Sequence, residues 1–173
     1  MRRISQKKVL AAIVLLLSVL IVRPAGYNKP ALKAPPAYED YAGKNYTARV
    51  NCVVDGDTIV LDTGERVRYI GIDTPEIAHH HKSAEYYGKE ANEFNKKLAL
   101  GKNIRLEFDE ERFDKYGRTL AYVYLEDGTF VNAELVKSGY ARTMSIKPNT
   151  KYTSLFKELQ NEAKIKRKGM WAR

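Results

Sequence analysis

Only three residues, Asp62-Thr63-Gly64, separate two short apolar runs, Thr58–Leu61 and Glu65–Ile72. A three-residue connection ending in glycine predicts a tight antiparallel hairpin, with the glycine in the left-handed region that side chains resist. Loop length also sets the register. Reflection about Thr63 places Leu61 opposite Glu65, Ile59 opposite Val67 and Thr58 opposite Arg68, which brings Arg68 within diagonal reach of Asp57. Further strands are expected at Thr47–Val54, Asn103–Asp109 and Arg118–Leu125. Helical spacing predicts Tyr87–Leu100, with Ala91, Phe94 and Leu98 on one face and Gly101 as its stop. A short helix, Val131–Ser138, should close at Gly139. A last one, Lys151–Lys168, should bury Tyr152, Leu155, Phe156, Leu159 and Ala163 and stop at Gly169. Five strands, a helix between the third and fourth, and two helices after them predict an α+β domain. A small, partly open five-stranded barrel closes such a chain most economically.

The barrel cannot use the whole chain of 173 residues. Met1–Lys8 is basic, and Val9–Val22 is apolar apart from Ser18. As a helix the apolar run is about 21 Å long, too short for a bilayer core of about 30 Å but suited to an export signal. Arg23-Pro24-Ala25-Gly26 offers no good small-x-small cleavage site, so a signal peptide and an uncleaved signal anchor are both compatible with residues 1–22. Either places the rest outside the cytoplasm, secreted or held on the outer face of the membrane. Residues 23–45 hold four of the six prolines and read as an extended linker, leaving 46–173 as the folded domain. The net charge is +9; Arg2, Arg3, Lys7 and Lys8 account for four of these charges, so the remainder carries +5. That excess favours a polyanionic partner. The single cysteine, Cys52, excludes an internal disulfide framework and is expected to be a buried strand residue.

Past Ile72 the chain should emerge, as Asp73-Thr74-Pro75-Glu76, at the rim that holds Asp55-Gly56-Asp57. Asp55, Asp57, Asp73 and Glu76 would then converge around Arg68. Carboxylates so close repel one another unless a cation compensates, and an oxygen-only set suits Ca²⁺ or Mg²⁺ rather than zinc. Taken singly, each element has an ordinary explanation as a turn or an ion pair. Asp62-Thr63-Gly64 also mimics the aspartic-protease triplet, but that site needs two such triplets.

Together, Val54-Asp55-Gly56-Asp57-Thr58, Arg68 followed by Asp73-Thr74-Pro75-Glu76, and Asp114-Lys115-Tyr116-Gly117-Arg118 resemble the staphylococcal nuclease (thermonuclease) family. Tyr87-Gly88-x-Glu90-Ala91, Val131-Asn132, Lys147-Pro148-Asn149 and Trp171 extend the resemblance over about Tyr46–Trp171. It implies an OB-fold barrel with three helices, and a Ca²⁺-dependent phosphodiesterase that cuts DNA and RNA at the 5′-O–P bond to leave 3′-phosphates. By the same resemblance Asp57, Asp73 and the Thr74 carbonyl hold Ca²⁺, and Asp55 orients water around it. Glu76 positions or deprotonates the attacking water, Arg68 and Arg118 stabilise the phosphorane-like transition state, and Lys115 and Tyr116 contact the adjacent phosphate. A monomer is expected.

The sequence departs from the family pattern twice. The family's lysine-rich loop is replaced by Ile77-Ala78-His79-His80-His81-Lys82, and Arg142-Thr143-Met144-Ser145-Ile146 lacks the tyrosines that the family stacks on a base. Two other classes are weighed against a nuclease. A non-catalytic OB-fold that binds single strands would not need converging carboxylates, which repel phosphate. A Ca²⁺-stabilised surface module would leave Arg68 and Arg118 without a role.

Overall fold

A computed structural model describes residues 46–78 and 83–172. The expected signal segment, the linker and the His79–His81 cluster lie outside the described residues. The elements are β1 (Tyr46–Val53), β2 (Thr58–Leu61), β3 (Arg66–Tyr69), β4 (Ile72–Asp73), α1 (Gly88–Ala99), β5 (Asn103–Glu107), β6 (Thr119–Leu125), α2 (Val131–Lys137), β7 (Arg142–Thr143) and α3 (Thr153–Ile165). A short 3₁₀ helix, Gly169–Trp171, follows.

Five strands close a barrel in the order β1-β2-β3-β6-β5, so the expected partly open barrel is closed. The hairpin register is the one that the loop length dictates, with Thr58 opposite Arg68 and Ile59 opposite Val67. Gly64 takes φ 85° in the turn. All barrel neighbours are antiparallel except β3 and β6, which run parallel with Val67 opposite Thr119 and Arg68 opposite Leu120. Inward-facing Ile59, Leu61, Val67, Ile104, Leu106, Ala121 and Val123 are at most 2% exposed. Burying an aliphatic side chain of this size stabilises the fold by about 1.5–3 kcal/mol. Buried Asn132 pins α2 to the barrel: its Oδ1 accepts from the Val123 N–H (2.9 Å), and its Nδ2 donates to the Ile70 carbonyl (2.9 Å).

Four expectations need correction. The strand expected over Glu65–Ile72 is broken after Tyr69, because Gly71 sits at φ 80° and turns the chain out of the barrel. A Cβ there would lie 2.5 Å from the Phe156 ring, so α3 packs directly on the bend. The short β4 beyond it pairs with β7 instead, Ile72 opposite Thr143 and Asp73 opposite Arg142. Helix α3 spans Thr153–Ile165, shorter than expected. It stops at Arg167 (φ 48°) and not at Gly169, through Arg167 N–H to Lys164 O (3.0 Å) and Lys168 N–H to Ala163 O (2.9 Å). This is a Schellman closure with arginine where glycine is usual. Phe156 and Ala163 are buried and Tyr152 and Leu159 pack against the core, but Leu155 is exposed. Cys52 is exposed too: the β1–β2 register shifts between Val50 and Cys52, reversing the in-out alternation at that residue.

Candidate active site

The loop before β2 and the bend after β3 meet at the barrel rim. Asp55 Oδ1 accepts from the Asp57 N–H (3.1 Å), an Asx turn that aims the Asp57 side chain inward. The hairpin register then sets Arg68 beside it. Arg68 Nη1 lies 2.8 Å from Asp57 Oδ2, and Nη2 lies 3.2 Å from Asp73 Oδ1. One guanidinium fork therefore joins two carboxylates from different elements. Thr74 adds two donors to the same Asp57 oxygen, its N–H at 2.8 Å and its Oγ1 at 3.0 Å. Asp57 and Arg68 are buried, whereas the Asp73 side chain is 41% exposed.

With Thr58 Oγ1 donating to its other oxygen (3.3 Å), four donors still do not fully compensate the buried charge. Burial pushes the Asp57 carboxyl up to about 7; Arg68 opposes this, the Asp55 charge adds to it, and the Thr74 bonds oppose it. A buried carboxylate still short of positive charge fits a site that takes up a cation. The donor chemistry agrees: the Asp57 and Asp73 carboxylates and the Thr74 carbonyl are hard oxygen ligands, suited to Ca²⁺ or Mg²⁺. Among the described residues no group of three or more His, Cys, Asp or Glu side chains is placed to cage a metal. These three groups would hold such an ion while leaving it accessible to water and substrate. The expected meeting of four carboxylates is therefore narrower: Asp57 and Asp73 are joined through Arg68, while Asp55 caps its own turn.

Glu76 follows buried Thr74 and Pro75 and is itself half-buried. Its backbone is clamped by Glu85, whose N–H donates to the Glu76 carbonyl (2.9 Å) and whose carboxylate accepts from the Glu76 N–H (3.4 Å). The first residue of α1 presses on the same peptide: a Cβ on Gly88 would lie 2.7 Å from the Glu76 carbonyl carbon and 3.1 Å from the Pro75 oxygen. Sequence reasoning missed Glu85, which nothing in its spacing distinguishes. It did note Gly88, but only as part of a motif.

Arg118 is presented by a loop built on Asp114. The Asp114 carboxylate accepts from the N–H groups of Tyr116 (2.9 Å) and Arg118 (2.9 Å) and from Arg118 Nε (2.6 Å). Burial opposes ionisation here, but the Arg118 backbone and guanidinium bonds and the Tyr116 N–H bring the Asp114 carboxyl below its ordinary value. Arg118 immediately precedes β6, whose next residues pair with β3, so the parallel strands bring Arg68 and Arg118 to one cleft of about 410 Å³. Lys115 and Tyr116 line it as well. Tyr116 is 73% exposed, with Lys115 Nζ 5.0 Å and the Arg118 guanidinium 5.6 Å from its ring centre. Met144 and Ile146 line the wall where the family's tyrosines are missing. Asn149 holds the approach to this loop, its Oδ1 accepting from the Glu111 N–H (2.8 Å) and its Nδ2 donating to the Glu111 carbonyl (2.7 Å).

Residues 66–173 match the family model described as staphylococcal nuclease homologue. A thermonuclease of Staphylococcus intermedius is 40% identical over 170 residues, covering 96% of this chain and 99% of that protein. A thermonuclease of Staphylococcus hyicus is 40% identical over 73% of this chain and 76% of its own length. Endonuclease YncB of Bacillus subtilis is 38% identical over 85% of this chain and 72% of its own length. With the barrel, the rim of paired aspartates and the two arginines of one cleft already in place, these likenesses lead to one conclusion: the chain belongs to the staphylococcal nuclease family.

Proposed function

We propose that this protein, a nuclease by family, is exported and uses Ca²⁺ to hydrolyse DNA and RNA at the 5′-O–P bond, leaving 3′-phosphate ends. The observation that carries the reading is the convergence of Arg68 and Arg118 on one cleft, with Arg68 bonded to both aspartates. Asp57, Asp73 and the Thr74 carbonyl would hold the ion. Bound there, Ca²⁺ supplies positive charge to the phosphoryl oxygens and lowers the cost of the extra charge that develops on them.

The chain's own residues do the rest. Glu76 orients a water in line with the 5′-oxygen and takes its proton as the new O–P bond forms. Arg68 and Arg118 donate to the non-bridging oxygens, where the guanidinium fork suits the charge of the pentacoordinate arrangement. The P–O5′ bond breaks, the 5′-oxygen takes a proton from solvent, and the 3′ side keeps the phosphate. Lys115 and Tyr116 hold the neighbouring phosphate, and Asp55 keeps the Asp57 turn in place. The proposed site needs no group from a second copy, and the reading takes the protein as a monomer.

The test is cleavage of DNA and RNA by the full-length chain. Excess EDTA should abolish cleavage, and Ca²⁺ should restore it better than Zn²⁺, which prefers fewer and softer ligands. Product 3′ ends should resist polymerase extension until treated with phosphatase. Full activity in EDTA refutes the metal; directly extendable ends refute the bond assignment. Export rests on the basic start and the apolar run Val9–Val22. Fractionation should find the protein in the medium or, with residues 1–22 retained as a tether, on the outer face of the membrane. Full-length protein confined to the cytosol refutes export.

A further inference from the structure

Asp73 and Arg142 are directly opposed in the antiparallel pair β4–β7, so their side chains stand on the same face. Arg142 is exposed and begins a second groove, of about 510 Å³, lined by Glu85, Tyr86, Arg142, Met170 and Trp171. The cleft that holds Arg118 also holds Arg68, and Arg68 bonds Asp73. Asp73 therefore stands between Arg68 of the first groove and Arg142 of the second.

Two rings in this second groove are placed as a core would not place them. Tyr86 is 47% exposed, yet it is rooted in an aromatic column. Its ring centre lies 5.5 Å from Tyr87, Tyr87 lies 5.5 Å from Tyr140, and Tyr140 stacks on Phe94 at 4.2 Å. Trp171 is half-buried and equally fixed. Gly139 and Gly169 touch backbone to backbone, so closely that a Cβ on Gly139 would lie 2.6 Å from the Lys168 carbonyl carbon and one on Gly169 would lie 2.7 Å from that of Gly139. Met170 N–H then bonds Gly139 O (2.9 Å), and Lys164 Nζ stands 4.7 Å from the centre of the Trp171 indole. Rings held in advance pay little entropy to receive a flat ligand.

The geometry points to a binding subsite for single-stranded nucleic acid in this groove, with bases stacking on Tyr86 and Trp171 and Arg142 taking a phosphate. Aromatic faces beside a cation suit single strands of any sequence. The Glu85 carboxylate, turned to the Glu76 N–H, disfavours phosphate along that stretch and so leaves it to bases. A strand lying across the rim would run from Lys115 and Tyr116, past Asp73, to Arg142 and Trp171. The inference deepens the nuclease reading and rests on it.

Trp171 is the only tryptophan, so its emission reports the groove directly. The full-length chain, in detergent and excess EDTA, is titrated with oligothymidylates of about three and about ten nucleotides, bracketing the lower site sizes of such barrels. The longer strand should quench Trp171 and the shorter should not. Tyr86→Ala and Arg142→Ala should each weaken binding of the longer strand on the order of tenfold, and Tyr86→Phe should restore it. With Ca²⁺ added, the ratio of kcat/KM for long over short strands should fall in both alanine variants. Saturation by the longer strand, seen by anisotropy, without change in Trp171 emission overturns the subsite. So does undiminished binding by both alanine variants. Quenching without any cleavage in Ca²⁺ overturns the nuclease reading and leaves the groove, whereas cleavage without quenching or length dependence overturns the groove alone.

Discussion

Gly88→Ala sets two effects of opposite sign against each other. At the start of α1, alanine favours the helix by up to about 1 kcal/mol over glycine. Its methyl group, however, would lie 2.7 Å from the Glu76 carbonyl carbon. Carbon atoms settle at about 3.5–4.0 Å, so helix and strand end must part by roughly 1 Å. Both neighbours are backbone and cannot swing aside like a flexible side chain. Overpacking of this kind costs about 1–3 kcal/mol, and strain on the bond from Glu85 N–H to Glu76 O adds up to about 1 kcal/mol. The clash wins, and the variant should lose about 1–3 kcal/mol of stability. The larger consequence is catalytic. The peptide displaced is that of Glu76, and a misplacement of about 1 Å can cost on the order of 10²-fold in rate. Urea unfolding followed by Trp171 emission measures the first effect, and steady-state cleavage in saturating Ca²⁺ measures the second. The variant should show a fallen kcat with KM little changed. An unfolding midpoint at or above that of the parent, with kcat within about twofold, refutes the argument. A lowered midpoint with unchanged kcat limits the contact to a structural one.

Glu76→Gln keeps size and polarity but loses the base, so kcat should fall by about 10²–10⁴-fold with substrate affinity nearly unchanged; wild-type turnover across pH in a folded variant refutes the role. Arg118→Ala should lower kcat strongly, and Arg118→Lys should rescue it poorly because the planar fork and the Nε bond to Asp114 are both lost; near-complete rescue by lysine, measured in the same assay, contradicts fork recognition. The Asp114 carboxyl lies below its ordinary value of 3.8 in the folded state, so its contribution to stability is present above that value and lost as pH falls below about 4. Asp114→Asn should therefore cost about 1 kcal/mol at pH 7 and progressively less below pH 4, as read from urea midpoints against pH; an equal cost at both ends refutes the ionic part of this contribution.

Local signals were the legible ones. Asp62-Thr63-Gly64 yields the register that seats Arg68 beside Asp57, because a three-residue turn leaves the chain little choice. Glycine stops and apolar spacing located the helices to within a few residues. Contacts between segments distant in sequence stayed hidden. Gly71 looked like one residue in a long strand, and only the Phe156 ring packed against it shows why the chain turns there. Arg167 closes α3 in a conformation that sequence rules reserve for glycine, so Gly169 was the natural but wrong stop. Asp57, Asp73 and both arginines were recognisable as motifs. That Arg68 bonds both carboxylates at once, and that Glu85 clamps Glu76, follows from a bend and a loop with no local signature.

The parallel seam between β3 and β6 also bears on the cell that makes this enzyme. Its partners, such as Val67 and Thr119, lie about fifty residues apart, with β4, α1 and β5 threaded between them. Pairings of that separation form late, after the local hairpin and the helices. Arg68 lies on one side of the seam and Arg118 just before the other, so neither the β1–β3 sheet nor the later strands alone carry both arginines of the proposed phosphate clamp. Catalysis is thereby tied to a long-range step of folding. A chain passed unfolded through a membrane would carry no assembled nuclease past the DNA and RNA of its own cell, and the enzyme would become dangerous only where the barrel shuts.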